Sequence, residues 1–291
     1  MNHRTKGDWL LDISVYVFLT MLGLMMLLPL ANVFSKAVSA EWAITSGKVG
    51  IFPVDFQLDT ISEVISSSTF LRAFGISVGV TVVGTLISIL MTALTAYPLS
   101  KGNLPGMPFF MVLFIFTMLF SGGLIPNYLL MRQLHLIDNL WVLILPGMIS
   151  VFNMLVIKSY YESLPEALEE SARIDGAKTY TILFRIILPL CMPVIATIAL
   201  FYAVGFWNDY FGPMIYINDT AKKTLQLYLQ DVVMNASSTN VLNKSIDDLM
   251  NMSPEGVRAA TVVASTVPIL FVYPFLQKYF IKGVLIGSVK G

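Results

Sequence analysis

Apolar residues along this chain gather into long blocks rather than short alternating strips. Six runs contain no Asp, Glu, Lys or Arg: 13–35, 73–100, 102–131, 139–157, 186–208 and 259–277. The shortest has 19 residues, and about 20 residues of α-helix, rising 1.5 Å each, cross the hydrocarbon core of a bilayer. Period-two alternation, the mark of a lipid-facing barrel strand, is missing from these runs. The pattern predicts an all-α integral membrane protein in one domain, 1–291, with spans at about 10–35, 71–99, 105–131, 138–158, 185–208 and 255–280. Six crossings place both ends on the same side.

Lys and Arg decide which side that is, because cytoplasmic loops carry the excess. With the N-terminus inside, segments 1–12, 98–107, 158–185 and 278–291 hold ten Lys and Arg in 64 residues. The outer segments 36–72, 132–138 and 209–258 hold eight in 94. The density is nearly twofold higher inside, which predicts N-in/C-in. The first run is too long for the roughly 7–15-residue core of a signal peptide and is read as an uncleaved span. The outer segment 36–72 suits short surface helices, and Ser253-Pro254-Glu255 reads as a helix start, with Ser253 as N-cap and Pro254 in the first turn.

Composition agrees with this class. A mean hydropathy of +0.75 and only 12% charged residues do not suit a water-soluble globule. Acids and bases balance at 18 each, so bulk charge points to no nucleic-acid partner. The single cysteine, Cys191, allows no intramolecular disulfide and lies in an apolar run, where it reads as a buried small residue.

Against that oily background one window is dense in charge. EALEESARIDGAKTYTILFRIILP, residues 166–189, together with Glu162 places eight ionisable residues between two apolar runs. Ser163-Leu164-Pro165-Glu166 has the form of a capping box, which predicts a helix from near 164 to about Asp175. Leu164, Ala167, Leu168, Ser171, Ala172 and Ile174 fall largely on one side of it, and the acids mostly elsewhere. Gly176 suits a position just past a helix end that needs left-handed geometry, or a close backbone approach. A second turn starting near Thr179 leads into the fifth span, which Pro189 and Pro193 are expected to bend. Physical reasoning alone leaves two readings open: a solvated connecting loop, or an amphipathic docking helix in a coupling loop over 163–184.

The order Glu170-Ser171-Ala172, three residues, Gly176, nine residues, Ile186, one residue, Leu188-Pro189 resembles the E-A-A loop of bacterial ABC importer permeases. Ser171 replaces the central alanine and keeps its small volume. Asp175, Ala177 and Phe184 resemble the sugar-importer version. SGGLIPNYLLMRQLHLIDNLW, GFWNDYFGPMIYI and the closing FVYPFLQKYFIKGVLIGSVKG extend the likeness over nearly the whole chain, to carbohydrate-uptake permeases of the MalG-like type and their LplC/YtcP-like branch. The resemblance implies the type I importer (MetI-like) fold. It also implies ATPase coupling through Glu170, Ser171, Ala172, Asp175, Gly176, Ala177 and Pro189, and a cytoplasmic tail, 282–291, that contacts the ATPase through Gly287, Ser288, Val289, Lys290 and Gly291. The implied partners are a second, homologous permease, two copies of a cytoplasmic ABC ATPase holding ATP and Mg, an extracellular or lipid-anchored solute-binding protein, and a saccharide. The implied location is the bacterial cytoplasmic (inner) membrane.

Other positions carry less. Asn153, in the fourth run, either hydrogen-bonds to a neighbouring helix or faces a substrate pathway. Trp207, Asn208, Asp209 and Tyr210 close the fifth run as an interfacial belt or as a sugar-binding face. Gly75, Gly79 and Gly84 suit close helix packing. His3 and His135 stand alone, so no metal site and no cofactor on this chain is expected. TSGKVG, at 45–50, lacks the upstream glycine and the following hydroxyl of a phosphate-binding loop. No nucleophile–base set lies within a span, which argues against an enzyme. An ion-driven transporter would need ionisable residues near mid-membrane, and the runs have none.

Overall fold

The computed structural model describes residues 6–102, 105–235 and 253–288. Among these the protein is all-α: no strand forms, and the one β-bridge is an isolated contact between Ser39 and Phe56. The chain divides into two compact units, one from 1–71 with 229–268 and the other from 72–228 with 269–291.

The first unit is organised around α1 (Lys6–Ala37), which runs without interruption through Pro29. Its apolar stretch Leu11–Ala37 has none of its best window buried within the chain, as expected of a helix whose solvent is lipid. The segment after it turns back along the end of the helix. The Asn32 side-chain amide donates to the Gly50 carbonyl at 2.8 Å, and the Ser35 hydroxyl donates to the Ile51 carbonyl. Short helices α2 (Glu41–Thr45) and α3 (Asp59–Ser66) follow, as the mixed polarity of 36–72 predicts. Ala43, Ile44 and Val49 form a small core beside them. The final helix, numbered below in chain order, starts at Pro254, and Ser253 caps it by accepting the Gly256 N–H at 3.1 Å. Lys36 pairs with Glu255 at 2.8 Å.

The second unit takes most of α4 (Ser68–Leu99), followed by α5 (Met107–Leu119), α6 (Leu124–Gln133), a 3-10 turn Leu140–Leu143, α7 (Val151–Glu162), α8 (Ala167–Ile174), α9 (Thr179–Ile182), α10 (Leu188–Leu190), α11 (Met192–Asn208) and α12 (Phe211–Tyr216). In chain order a 3-10 turn Thr220–Lys222 comes next, then α13 (Leu225–Asn235) and the long α14 (Pro254–Ser288), of which 229–235 and 254–268 belong to the first unit. A buried cluster holds α4, α7, α8 and the α9–α11 region together through Ala96, Tyr97, Met154, Ile157, Ala172, Ile182, Ile187, Ile198 and Tyr202.

Three predicted spans differ from single straight helices. The run 105–131 breaks at 120–123, and α5 and α6 meet at 112°. Gly123 has φ +87° there, a conformation glycine adopts without a Cβ clash. The fourth run is helical only from Val151 and at its 3-10 turn. Between them, Pro146 offers no N–H to a helix, and Ser150 starts α7 by accepting the Asn153 N–H at 3.4 Å. The fifth run bends by 83° between α9–α10 and α11, where Pro189 and Pro193 were expected to bend it. A π-turn, Leu183–Ile187, leads directly into α10, which contains Pro189. Absence of charge marks a segment as able to enter lipid, but it does not make that segment one helix. Among the described residues α1 and α4 are each long and apolar enough to cross a membrane, and each bent pair adds a candidate crossing.

Candidate functional site

The charged window folds as a short helix with a defined stop. α8 covers Ala167–Ile174, with Asp175 at its C-cap and Gly176 just beyond at φ +79°. The Gly176 N–H donates to the Arg173 carbonyl at 3.0 Å, and the Ala177 N–H to the Ala172 carbonyl at 2.9 Å. This pair of bonds is the Schellman ending, which satisfies carbonyls the helix leaves open. A Cβ added at Gly176 would meet nothing within 4 Å. Of the two roles predicted for this glycine, the described residues show the left-handed one.

The start of the helix corrects the sequence reading. No capping box forms, because Glu166 is the N-cap residue and makes no side-chain capping bond. Ser163 instead ends α7, donating to the Tyr160 carbonyl at 2.7 Å. The i, i+3 spacing matched, but helix α7 runs further than its uncharged run and claims the serine. The apolar side is also narrower than predicted. Ala172 is buried and Leu164 partly so, whereas Ile174 is 86% exposed.

Two neighbouring acids on α8 have opposite surroundings. Glu170 is exposed, as are Ser171, Asp175 and Gly176, and its carboxylate has no hydrogen-bond or ion-pair partner among the described residues. Glu169 has a side chain only 13% exposed and pairs with Lys101 from the α4–α5 connection. It also accepts a hydrogen bond from the Tyr97 hydroxyl at 3.3 Å. The Lys101 ammonium lies 5.0 Å from the Tyr97 ring centroid, and Tyr97 meets Tyr161 of α7 edge-on at 6.0 Å. Sequence reading gave Glu169, Lys101 and Tyr97 no role. The available signal was a lone lysine in a short polar turn between two apolar runs.

Away from α8, the same unit carries an open cavity of about 710 Å³. Its wall combines Phe152, Phe201, Tyr202, Phe206 and Tyr216 with Ser150, Asn153, Asn208 and Asp209. Asn153 is 5% exposed in the first turn of α7. Its carboxamide makes no hydrogen bond to another described side chain, so the expected neighbour-helix partner is not found. Asn208 and Asp209 join it at the wall, and Asp209 accepts the Gly212 N–H at 3.0 Å. Trp207 and Tyr210 do not line the cavity. Trp207 packs edge-on against Phe74 with centroids 6.1 Å apart, and Tyr210 meets Phe211. Gly84 makes the predicted close approach: a Cβ there would stand 2.9 Å from the Phe206 ring, whereas Gly75 and Gly79 face nothing within 4 Å.

The cavity wall is held by a residue that sequence reading missed. The Tyr202 hydroxyl accepts the Ser150 N–H at 2.8 Å and shares a hydrogen bond with the Thr92 hydroxyl at 2.6 Å. Near the same wall, Asp138 joins two loops. Its carboxylate accepts the Asp219 N–H at 3.0 Å and the Asn218 N–H at 3.2 Å, its own N–H donates to the Tyr216 carbonyl, and Lys222 binds its carbonyl at 2.8 Å. Those backbone donors, Asp219 above all, hold its carboxyl below the usual carboxylate range. Of the predicted tail contacts, Gly287 and Ser288 end α14, while Val289, Lys290 and Gly291 lie outside the described residues.

Among the described residues the chain is thus all-helical, with helices able to cross a membrane, an exposed amphipathic helix and an aromatic–amide pocket. Residues 104–286 match the family of binding-protein-dependent transport system inner membrane components, and the chain belongs to that family. It is 45% identical over 291 residues to Protein LplC of Bacillus subtilis (strain 168), covering 99% of this chain and 98% of that protein. It is 41% identical over 285 residues to the polygalacturonan/rhamnogalacturonan transport system permease protein YtcP of the same organism, covering 97% and 99%. Among solved structures, a chain of a bacterial ABC transporter involved in the import of the acidic polysaccharide alginate superposes with a TM-score of 0.89 at 33% identity, over 96% of this chain and all of that one. A chain of the alginate transporter bound to a periplasmic protein carrying alginate pentasaccharide has a TM-score of 0.56 at 15% identity over 93% of each chain, a likeness of fold alone. The chain is a permease subunit of an ABC importer and not its ATPase.

Proposed function

We propose that this permease forms half of the pore of a saccharide importer in the bacterial cytoplasmic membrane, with six crossings and both ends inside. A second, homologous permease supplies the other half. Two copies of a cytoplasmic ATPase, holding ATP and Mg, dock on α8 and its counterpart, and a solute-binding protein delivers the sugar from outside. The third and fifth crossings are then the bent pairs α5–α6 and α9–α11. Saccharide is favoured by the named substrates of the relatives and by the cavity wall, since aromatic faces beside amides and a carboxylate suit a ring that is apolar on its faces and hydroxylated at its rim. Asn153, Asn208 and Asp209 would face the sugar, and Trp207 and Tyr210 would support the wall from behind.

The observation that carries the coupling role is the outward set on α8. Glu170, Ser171 and Asp175 are exposed on a helix whose inner side is packed, and Gly176 turns the chain sharply away. ATP-driven closure of the ATPases would move this helix and shift the pore between inward- and outward-facing states through contacts that differ between the two. Replacing Gly176 by Asp tests it in the reconstituted complex. The left-handed backbone costs a side chain about 1–2 kcal/mol, and there is room for the Cβ, so the permease is expected to fold. The expected result is loss of ATPase co-purification or of sugar-stimulated turnover. Wild-type assembly together with wild-type stimulation overturns the docking role.

A further inference from the structure

We propose that Lys101, Tyr97 and Glu169 form an internal clamp that passes movement of α8 into α4 and on to the cavity wall. The proposal rests on the coupling reading above and adds the route by which the stroke reaches the pore. Three independent contacts support it.

The first is at α8 itself. The helix is attached to its own chain through Ala172 in the apolar core, Glu169 one turn earlier in the ion pair, and Arg173, whose guanidinium also interacts with the Tyr97 hydroxyl. The exposed residues Glu170, Ser171 and Asp175 remain free for another chain. Adjacent acids thus divide the work: Glu170 faces outward, and Glu169 is turned inward. A carboxylate this little exposed resists separation from its cation, because breaking the contact leaves charge in a poorly hydrated place.

The second contact is at the end of α4. Tyr97 is 5% exposed and lies in the last turn of that helix. It donates to Glu169, sits under the Lys101 ammonium, and packs on Tyr161. A push on Glu169 therefore meets both a side chain of α4 and the turn that follows it.

The third contact lies further back on α4. Thr92 is five residues before Tyr97, about 7.5 Å along a helix, a length over which a helix moves as one piece. Thr92 is fully buried, and its hydroxyl shares a hydrogen bond with that of Tyr202, which accepts the Ser150 N–H. Tyr202 and Ser150 both line the cavity. The short strut from 92 to 101 thus touches α8 at one end and the cavity wall at the other. Lys101, Tyr97 and Glu169 are positioning residues, since none of them touches the cavity.

The test is a charge exchange in the full reconstituted complex of both permeases, ATPases and binding protein. It measures sugar transported per ATP hydrolysed, together with ATPase co-purification. Glu169→Gln and Lys101→Met are each expected to lower the transport-to-hydrolysis ratio at least about fivefold, within the usual range for coupling between sites, while ATPase co-purification stays at wild-type level. Lys101→Arg keeps the charge and is expected to stay near wild type. The exchanged pair Lys101→Glu with Glu169→Lys is expected to recover part of the ratio through the ion pair, without the Tyr97 bond and the ammonium over the Tyr97 ring, which a general loss of stability would not do. A wild-type ratio in both single variants overturns the clamp. So does a loss that the exchanged pair does nothing to restore. Loss of ATPase co-purification in Glu169→Gln also overturns it, by showing that Glu169 belongs to the outward surface. Failure of the coupling reading is distinguished by Gly176→Asp: if that variant abolishes docking while the charge variants transport normally, α8 is the docking helix and the clamp is not its transmission.

Discussion

Between Ser163 and Ala177 the backbone is shaped by contacts a few residues apart: the Ser163 bond to Tyr160, the Schellman pair at Gly176, and the Ser171 hydroxyl on the Ala167 carbonyl. The cavity of the same unit depends on contacts far apart in sequence. Tyr202 reaches Ser150 and Thr92, and Asp138 reaches Asn218, Asp219 and Lys222. A locally built helix can keep its shape while it is moved by another protein. A wall assembled from distant segments changes when any one of them shifts, which is what a gated pathway requires. The two regions meet along α4, which has a foot in each.

Two glycines give the largest test of this difference. Gly84 of α4 faces the Phe206 ring so closely that an added Cβ would stand 2.9 Å away. Gly84→Val should drive the ring into the cavity or part α4 from α11, and overpacking of this kind costs about 1–3 kcal/mol. We expect a lower melting temperature of the purified complex and reduced sugar uptake, with ATPase co-purification intact. Gly176→Ala should do the reverse. Its strain is confined to one backbone position, so wall-dependent properties are expected to hold. Equal loss of sugar binding in both variants would remove the distinction between a local and a distributed region.

A smaller effect is expected of Tyr202→Phe. The ring stays, so packing is nearly unchanged, but the buried Thr92 hydroxyl loses its hydrogen-bond partner and the Ser150 N–H its acceptor. Leaving such groups unsatisfied costs about 1–3 kcal/mol each when water cannot replace the partner. The cavity is open enough to admit water at Ser150, so the expected total is near the cost of one group. Thermal unfolding in detergent and sugar-stimulated ATP turnover should both fall. An unchanged melting temperature would show that the hydroxyl network does not hold the wall.

Sequence reading reached these regions unequally, for the same physical reason. Ser253 and Pro254 as a helix start, Gly176 as a left-handed stop, and Pro189 with Pro193 as a bend are properties of a few neighbouring residues, and each was legible. The capping box at Ser163 failed because its pattern is shared by a serine that ends the preceding helix. The breaks at 120–123 and before Val151 were hidden because an uncharged run shows affinity for lipid and not continuity of a helix. Asn153 was found as an amide inside the fourth apolar run, where it calls for a partner or a pathway, and Asn208 and Asp209 as polar residues closing the fifth. Tyr202, Ser150 and Glu169 were not found: a tyrosine in an apolar run and a second glutamate beside the motif look ordinary until the chain folds.

The smallest effect concerns Asp138, the partly exposed link between the loops beside the wall. Backbone N–H groups bind its carboxylate, so its pKa lies below the usual carboxylate range in the folded protein. A depressed folded pKa means that the folded state binds its proton less readily than the unfolded chain. The stabilisation is therefore complete above the unfolded pKa, declines as pH falls through that range, and is lost below the folded value. Asp138→Asn removes the charge at every pH, although an amide oxygen in the place of Oδ1 still accepts both N–H groups. The variant is thus expected to melt slightly below wild type at neutral pH, with the gap closing as both are acidified past the carboxylate range. Lys222→Met should show the same closing gap with a smaller amplitude, because the ammonium ranks behind the backbone donors in holding this carboxyl. A gap that stays constant down to low pH would mean that Asp138 acts through the shape of its left-handed turn, φ +60°, and not through its charge. The two cavity loops would then be joined by geometry alone.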